Sequence, residues 1–257
     1  MKKVYPFLVL IPNLFTISSI FCGFYAILHA TSAEAPDRFT KAAVAIIFAV
    51  LFDMLDGRAA RATRTESAFG VQMDSLADVI SFGLAPAVLA YKWSLEGFGV
   101  AGLAAAFVFC VCGALRLARF NVLAAAHKTS KYFLGMPIPL AAGNISALVL
   151  LHARAGIVEP GPRPLVLVVV LVLSALMISG IHYPAFKKTS PRQTTATVIL
   201  LAALSLIAAF KTGFALMFSL VIFTVSLIGP GREVVVFLRR LRRPHPAIEK
   251  DRIEPGE

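Results

Sequence analysis

The chain has 257 residues, of which 58% are apolar, with a formal net charge of +11 and a mean hydropathy of +0.80. That composition excludes an ordinary soluble domain, and apolar runs near the roughly 20 residues needed to cross a bilayer recur too often to be one cleaved signal peptide. The basic residues lie between apolar runs instead of on one polar face, so nucleic acid is not an expected partner.

Taken in chain order, the apolar runs predict an all-α, polytopic transmembrane bundle of about eight helices, at residues 5–30, 39–61, 71–93, 100–120, 136–151, 164–181, 195–210 and 214–228. The first carries Asn13 and Thr16, polar residues three apart in an apolar span, suited to interhelical hydrogen bonding or to a ligand. The second ends in Asp53, Asp56, Gly57, Ala60 and Arg61, and the third opens with Gly70, Asp74 and Asp78 and closes near Trp93, expected at a membrane interface like Tyr5. Near the end of the fourth stand Arg116 and Arg119, three apart, where a guanidinium fork suits a carboxylate or a phosphate and snorkelling to the surface is the plainer alternative. The fifth is short and flanked by proline, so six or seven spans with one re-entrant segment is the competing count. Residues 1–230 are read as one transmembrane domain and 231–257 as a basic, partly disordered tail, which contains the run Arg239, Arg240, Arg242 and Arg243 and is expected to be disordered from Pro244 to Glu257. The three cysteines, Cys22, Cys110 and Cys112, all lie in apolar segments and are assigned to packing; the five histidines show no ligand spacing.

Orientation follows from charge. With eight spans, nineteen of the 25 Lys and Arg residues fall on the side of the N-terminus, so both termini are expected in the cytoplasm, in a multi-pass cell-membrane protein whose acidic cluster faces that side.

Four aspartates in that cluster need a reason. A carboxylate at membrane depth costs at least about 2.5–3.5 kcal/mol to insert. Asp53 and Asp56 are i,i+3 and Asp74 and Asp78 are i,i+4, so each pair shares a helix face, and the short connection between the helices brings the pairs to one level. Four anions there require a cation. Clustered carboxylate oxygens suit Mg²⁺ or Mn²⁺, with Ca²⁺ as the alternative, and do not suit Zn²⁺. Gly57, Ala60 and Gly70 leave space for a nucleotide or pyrophosphate against the backbone, or simply for close helix packing. A cation transporter would also use buried carboxylates.

The string Asp53-x2-Asp56-Gly57-x2-Ala60-Arg61-x8-Gly70-x3-Asp74-x3-Asp78 resembles the complete signature of the CDP-alcohol phosphotransferase family, at every fixed position and spacing. The resemblance implies an intramembrane enzyme in which Asp53, Asp56 and Asp74 are the main metal ligands and Asp78 completes the metal site and serves as general base. It also implies that Gly57, Ala60 and Gly70 line a cytidine-nucleotide site, that Arg61 faces phosphate or a carboxylate, and that the protein is a homodimer. Asn13 and Thr16 join the nucleotide candidates. Further motifs, at residues 12–16, 74–86, 116–121 and 135–139, resemble the membrane-embedded phosphatidylserine synthases of that family. They imply transfer of a phosphatidyl group from CDP-diacylglycerol to L-serine, with Arg116, Arg119 and Ser81 as candidate contacts to the acceptor or its phosphate. Glycerol phosphate, inositol phosphate, choline and an ether-lipid donor are the competing substrates.

Overall fold

Apolar sequence becomes helix at most of the expected positions. The computed structural model describes residues 6–33, 37–63, 67–125, 132–157, 161–184 and 213–241. The span expected at 195–210, Tyr5 and residues 242–257 lie outside the described residues. The helices are α1 (Pro6–Thr31), α2 (Arg38–Thr63), α3 (Ala68–Asp78), α4 (Ala85–Ala90), α5 (Val100–Ala125), α6 (Ile138–Arg154), α7 (Pro164–Ile178) and α8 (Phe214–Leu241).

Among the described residues three stretches are long and apolar enough to cross a membrane: Asn13–Thr31, Ala68–Phe98 and Val100–Ala125. Shorter apolar helices run over Ile138–Arg154, Pro164–Ile178 and Ala215–Gly231. Helix α2 is as long as α5 but does not qualify, because every 18-residue stretch of it contains at least three charged residues. Its polarity is concentrated where the aspartates are.

The third expected helix is not uniform. Between α3 and α4 the chain forms a π-helical turn over Val79–Leu84, and a second π turn (Tyr91–Leu95) and a 3₁₀ turn (Glu96–Phe98) follow α4. Pro86 supplies a reason for the first: it has no N–H for the carbonyl of Phe82 and its ring would press on that carbonyl, so the ladder widens and the Ala85 N–H bonds Ile80 O instead. Asp78 thus ends a regular helix and begins an irregular one.

Helices α1 and α2 make the most extensive contact in the molecule, through alanines that let the backbones approach: Ala26 and Ala30 on α1, with Ala42, Ala45 and Ala49 on α2, all buried. Phe82, Leu89, Phe109, Ile138, Ile145 and Met177 fill the space between the remaining helices. Side chains such as Phe24, Leu28, Phe107, Leu165 and Val168 are more than half exposed, as expected of surfaces whose solvent is lipid. The three cysteines are free and at least half-buried, consistent with packing.

Three features depart from the sequence reading. Helix α8 continues through Leu241 with Pro230 inside it, past the end expected for the last span at residue 228, while the stretch expected to be disordered, 244–257, lies outside the described residues. Trp93 is 3% exposed and packs edge-on against His152, its ring centroid 5.0 Å away, a burial that its interfacial reading did not include. A two-stranded antiparallel pair, β1 (Tyr132–Leu134) with β2 (His182–Pro184), joins the end of α7 to the segment before α6. Gly135 follows β1 at φ +78°, and a Cβ there would lie 2.1 Å from the Met177 carbonyl oxygen, so only glycine permits this approach.

Candidate active site

The site is assembled from the last turns of α2, the whole of α3 and one residue of α1. Ser67 caps α3, its Oγ accepting the Gly70 N–H at 3.0 Å, which starts the helix where Asp74 and Asp78 come to lie on one face. Helix α3 packs more extensively on α1 than on α2. Gly57 and Ala60, on the same last turns of α2 as the aspartates, are half-buried.

One carboxylate oxygen from each of Asp53, Asp56 and Asp74 lies within 4.8 Å of the other two. Asp56 is 6% exposed and accepts a hydrogen bond from Thr16 Oγ1 at 3.0 Å, while Asp53 and Asp74 are half-buried. Asp78 lies beside this trio, close enough to Asp53 and Asp74 to interact with them electrostatically. Three anions this close repel strongly in a medium of low dielectric, and hard oxygen donors at this density fit a Mg²⁺- or Mn²⁺-type cation. The donor set contains no sulfur or imidazole, so it does not fit a zinc site.

Two guanidiniums of α5 have different fates. Arg116 is 8% exposed, faces Asp78, and its buried Nε has no hydrogen-bond partner. Arg119 instead donates from its two terminal nitrogens to the carbonyls of Ile178 and Ser179, both at 3.2 Å, capping the end of α7. Ser81 is fully buried and donates to the Ser19 carbonyl at 2.9 Å; a Cβ on Gly23 would come within 2.8 Å of the Ser81 Cα, so α1 meets the π turn at this point. Asn13 is half-buried one turn before Thr16 on α1. Arg61 lies on α2, with its side chain outside the described residues.

One contact was not foreseen. Asn121 Nδ2 donates to Ser75 Oγ at 2.8 Å, tying the end of α5 to the residue next to Asp74. The signal for it was present in the sequence, since Asn121 closes the same motif as Arg116 and Ser75 lies between two signature aspartates, but no spacing rule links residues so far apart.

Comparison with known proteins agrees with this geometry. Residues 9–160, which include all but the first three residues of α1 and the whole of α2 to α6, match the family model described as CDP-alcohol phosphatidyltransferase. The chain is 43% identical over 182 residues to a Helicobacter pylori protein named CDP-diacylglycerol–serine O-phosphatidyltransferase, covering 70% of this chain and 74% of that one. A Bacillus subtilis protein of the same name is 37% identical over 180 residues, covering 69% and 92% of the two chains. The archaetidylserine synthase of Methanothermobacter thermautotrophicus is 37% identical over 185 residues, covering 71% and 72%. With the signature aspartates gathered at one level of a helical membrane protein and the family model matched over more than half of its length, the chain belongs to the CDP-alcohol phosphatidyltransferase family.

Proposed function

We propose that the chain is a membrane-embedded phosphatidylserine synthase, transferring the phosphatidyl group of CDP-diacylglycerol to the hydroxyl of L-serine and releasing CMP. The observation that carries this reading is the convergence of Asp53, Asp56 and Asp74 within 4.8 Å, beside Asp78 and the buried Arg116, in a chain 43% identical to a relative so named.

In this reading Asp53, Asp56 and Asp74 hold the divalent metal, with Asp78 at its margin. The metal's contribution is to neutralise charge on the pyrophosphate and on the departing CMP. Gly57, Ala60 and Gly70 leave room for the nucleotide, with Asn13, Thr16 and Arg61 at its border. Asp78 holds the proton lost from the serine hydroxyl as the serine oxygen bonds to the phosphorus that bears the diacylglycerol and the bond from that phosphorus to the CMP oxygen breaks. Free carboxylates are too weak to deprotonate an alcohol outright, so proton transfer accompanies bond formation and depends on positioning. Arg116 is the candidate for the serine carboxylate, because its unpartnered buried Nε makes it the better placed of the two α5 arginines.

The same proposal places the polar end of α2 and α3 on the cytoplasmic side of the cell membrane, with eight spans, both termini inside, a transmembrane domain over 1–230, a C-terminal region over 231–257 and assembly as a homodimer. The positive-inside distribution of Lys and Arg supports the orientation.

The deciding experiment is CMP release by purified protein with CDP-diacylglycerol and Mg²⁺ or Mn²⁺, offering L-serine, glycerol 3-phosphate, inositol phosphate or choline. Release that requires serine and stops with a chelator is the expected result. Release with another acceptor keeps the family and removes serine; an ether-linked CDP donor belongs in the panel because one relative is an archaetidylserine synthase.

A further inference from the structure

Helix α8 changes character along its length. Its apolar part runs over Ala215–Gly231, and the helix goes on to Leu241. At about 1.5 Å per residue its 28 residues span about 42 Å, against about 30 Å for the hydrocarbon of a bilayer, so with the apolar part in the membrane the last turns reach its polar surface. The sequence of those turns is sorted by face. Positions 232, 236, 239 and 240 recur at i, i+4, i+7 and i+8 and share one side of the helix; three of them are arginines, Arg232, Arg239 and Arg240, with Val236 between. Positions 234, 237, 238 and 241 share the opposite side, and all four are apolar: Val234, Phe237, Leu238 and Leu241. Arg242 and Arg243 follow directly in the sequence, so that 232–243 holds five arginines and a single acid, Glu233. This end of α8 lies at the same end of the molecule as the carboxylates. A Cβ on Gly229 would come within 2.5 Å of the Tyr183 ring, which sets the helix directly against β2; β2 pairs with β1, and a Cβ on Gly135, just after β1, would lie 3.3 Å from the Arg119 guanidinium, one turn from the Arg116 that faces Asp78.

We infer that residues 232–243 are a docking surface for the anionic headgroups of phospholipids, lying along the membrane beside the end of the molecule that carries the aspartates. Orienting a span takes only a number of positive charges near its end and no arrangement of them. Here arginine and apolar positions are segregated to opposite sides of one helix, which is the pattern of helices that lie in the membrane interface. The segment is also continuous with an apolar helix, so Leu241 stays within about 15 Å of the point where that helix ends, and the anions always within that reach are those of lipid headgroups. Five arginines against one acid complement such a surface, each raising occupancy of an anionic leaflet about fivefold. An acidic protein or a nucleic acid would leave the apolar side without a partner, and a second copy of the segment would bring like charges together. The inference needs the apolar part of α8 in a membrane and is independent of the phosphatidyl-transfer reading.

The test places the full-length protein carrying Phe237→Trp in nanodiscs of phosphatidylcholine alone or of phosphatidylcholine mixed with phosphatidylglycerol, and reads the emission of the new indole and its quenching by acrylamide. The chain's own tryptophan, Trp93, is 3% exposed and gives a background that the unsubstituted protein supplies for subtraction. In the anionic discs the emission is expected to shift to shorter wavelength and the quenching to fall, and both should return to their phosphatidylcholine values at about 1 M KCl, where the Debye length shrinks to about 3 Å. Adding Arg239→Gln, Arg240→Gln, Arg242→Gln and Arg243→Gln together is expected to lower the ratio of docked to free segment by about 10²- to 10³-fold and so to abolish the difference between the two discs. Emission and quenching that are the same in both lipids overturn the inference and leave the arginines as an orienting flank. A shift that follows the oligomer size of the protein and not the lipid charge overturns it too, making the segment a contact between copies. The salt arm needs no change of charge in the chain, so a failure of the fourfold variant to fold leaves the inference open to refutation. None of these readouts uses CMP release, and loss of the transfer reading would leave them as they stand.

Discussion

Helices α2 and α5 have the same length, 26 residues, and opposite chemistry at their C-terminal ends. On α2 the charged residues at the site are Asp53 and Asp56; on α5 the charged pair at the same spacing of three is Arg116 and Arg119. The acidic pair stays together: Asp53 and Asp56 converge with Asp74, and Thr16 donates a neutral hydroxyl to Asp56. The basic pair is split, Arg119 being bonded to the carbonyls that end α7 while Arg116 turns to Asp78 with one buried nitrogen unpartnered. Identical spacing on a helix therefore does not mean identical work. What a charged residue at membrane depth does is decided by whether the rest of the fold satisfies it.

The largest expected effect comes from the acidic side. Asp78→Asn keeps the size and most of the hydrogen bonding but cannot hold the transferred proton, so serine-dependent CMP release should fall by about 10³, within the range for losing a general base. An unchanged rate would move the base elsewhere. Chelation should abolish release in the unsubstituted protein, and adding Mg²⁺ or Mn²⁺ back should raise its melting temperature; Asp53→Asn and Asp56→Asn should lose that thermal response along with activity, because a ligand bound only to the folded state stabilises it.

The arginines sharpen the contrast. Arg116→Gln should raise the KM for serine by about 10- to 100-fold, the range for one or two hydrogen bonds to a charged group, with a smaller change in the KM for CDP-diacylglycerol. Arg119→Gln should instead cost about 1–2 kcal/mol of stability by freeing two carbonyls at the end of α7, and change the KM for serine less than Arg116→Gln does. If Arg119→Gln alone raised the serine KM, the assignments of the two residues would exchange. The smallest effect is expected from Asn121→Ala, which removes the bond to Ser75: about 1 kcal/mol of stability and a fall in kcat of a few-fold, because Asp74 keeps its helix but loses one tie to α5.

How much of this was legible in advance depended on the range of the interaction. The composition and the apolar runs marked the helices of α1, α5, α6 and α7 to within a few residues, because a span needs a length of apolar sequence and nothing else. The carboxylate pairs were readable because i,i+3 and i,i+4 residues share a face in any helix. The π turn after Asp78 was not read from Pro86, although the missing N–H was there to be seen, since a proline more often kinks or ends a helix than widens it. The continuation of α8 past Pro230 was missed for the same reason. The burial of Trp93 against His152 was not read either, because it pairs residues 59 positions apart.

The sequence by itself determined the class of molecule, the four aspartates and their spacing, and the metal chemistry that such a donor set fits, because these follow from residue type and helical periodicity. Only the tertiary structure decided that Arg119 ends α7 while Arg116 faces Asp78, that Ser81 meets Ser19, and that Asn121 reaches Ser75. These four side-chain contacts join residues between 38 and 62 positions apart along the chain. No local rule relates such residues; the packing of whole helices brings them together.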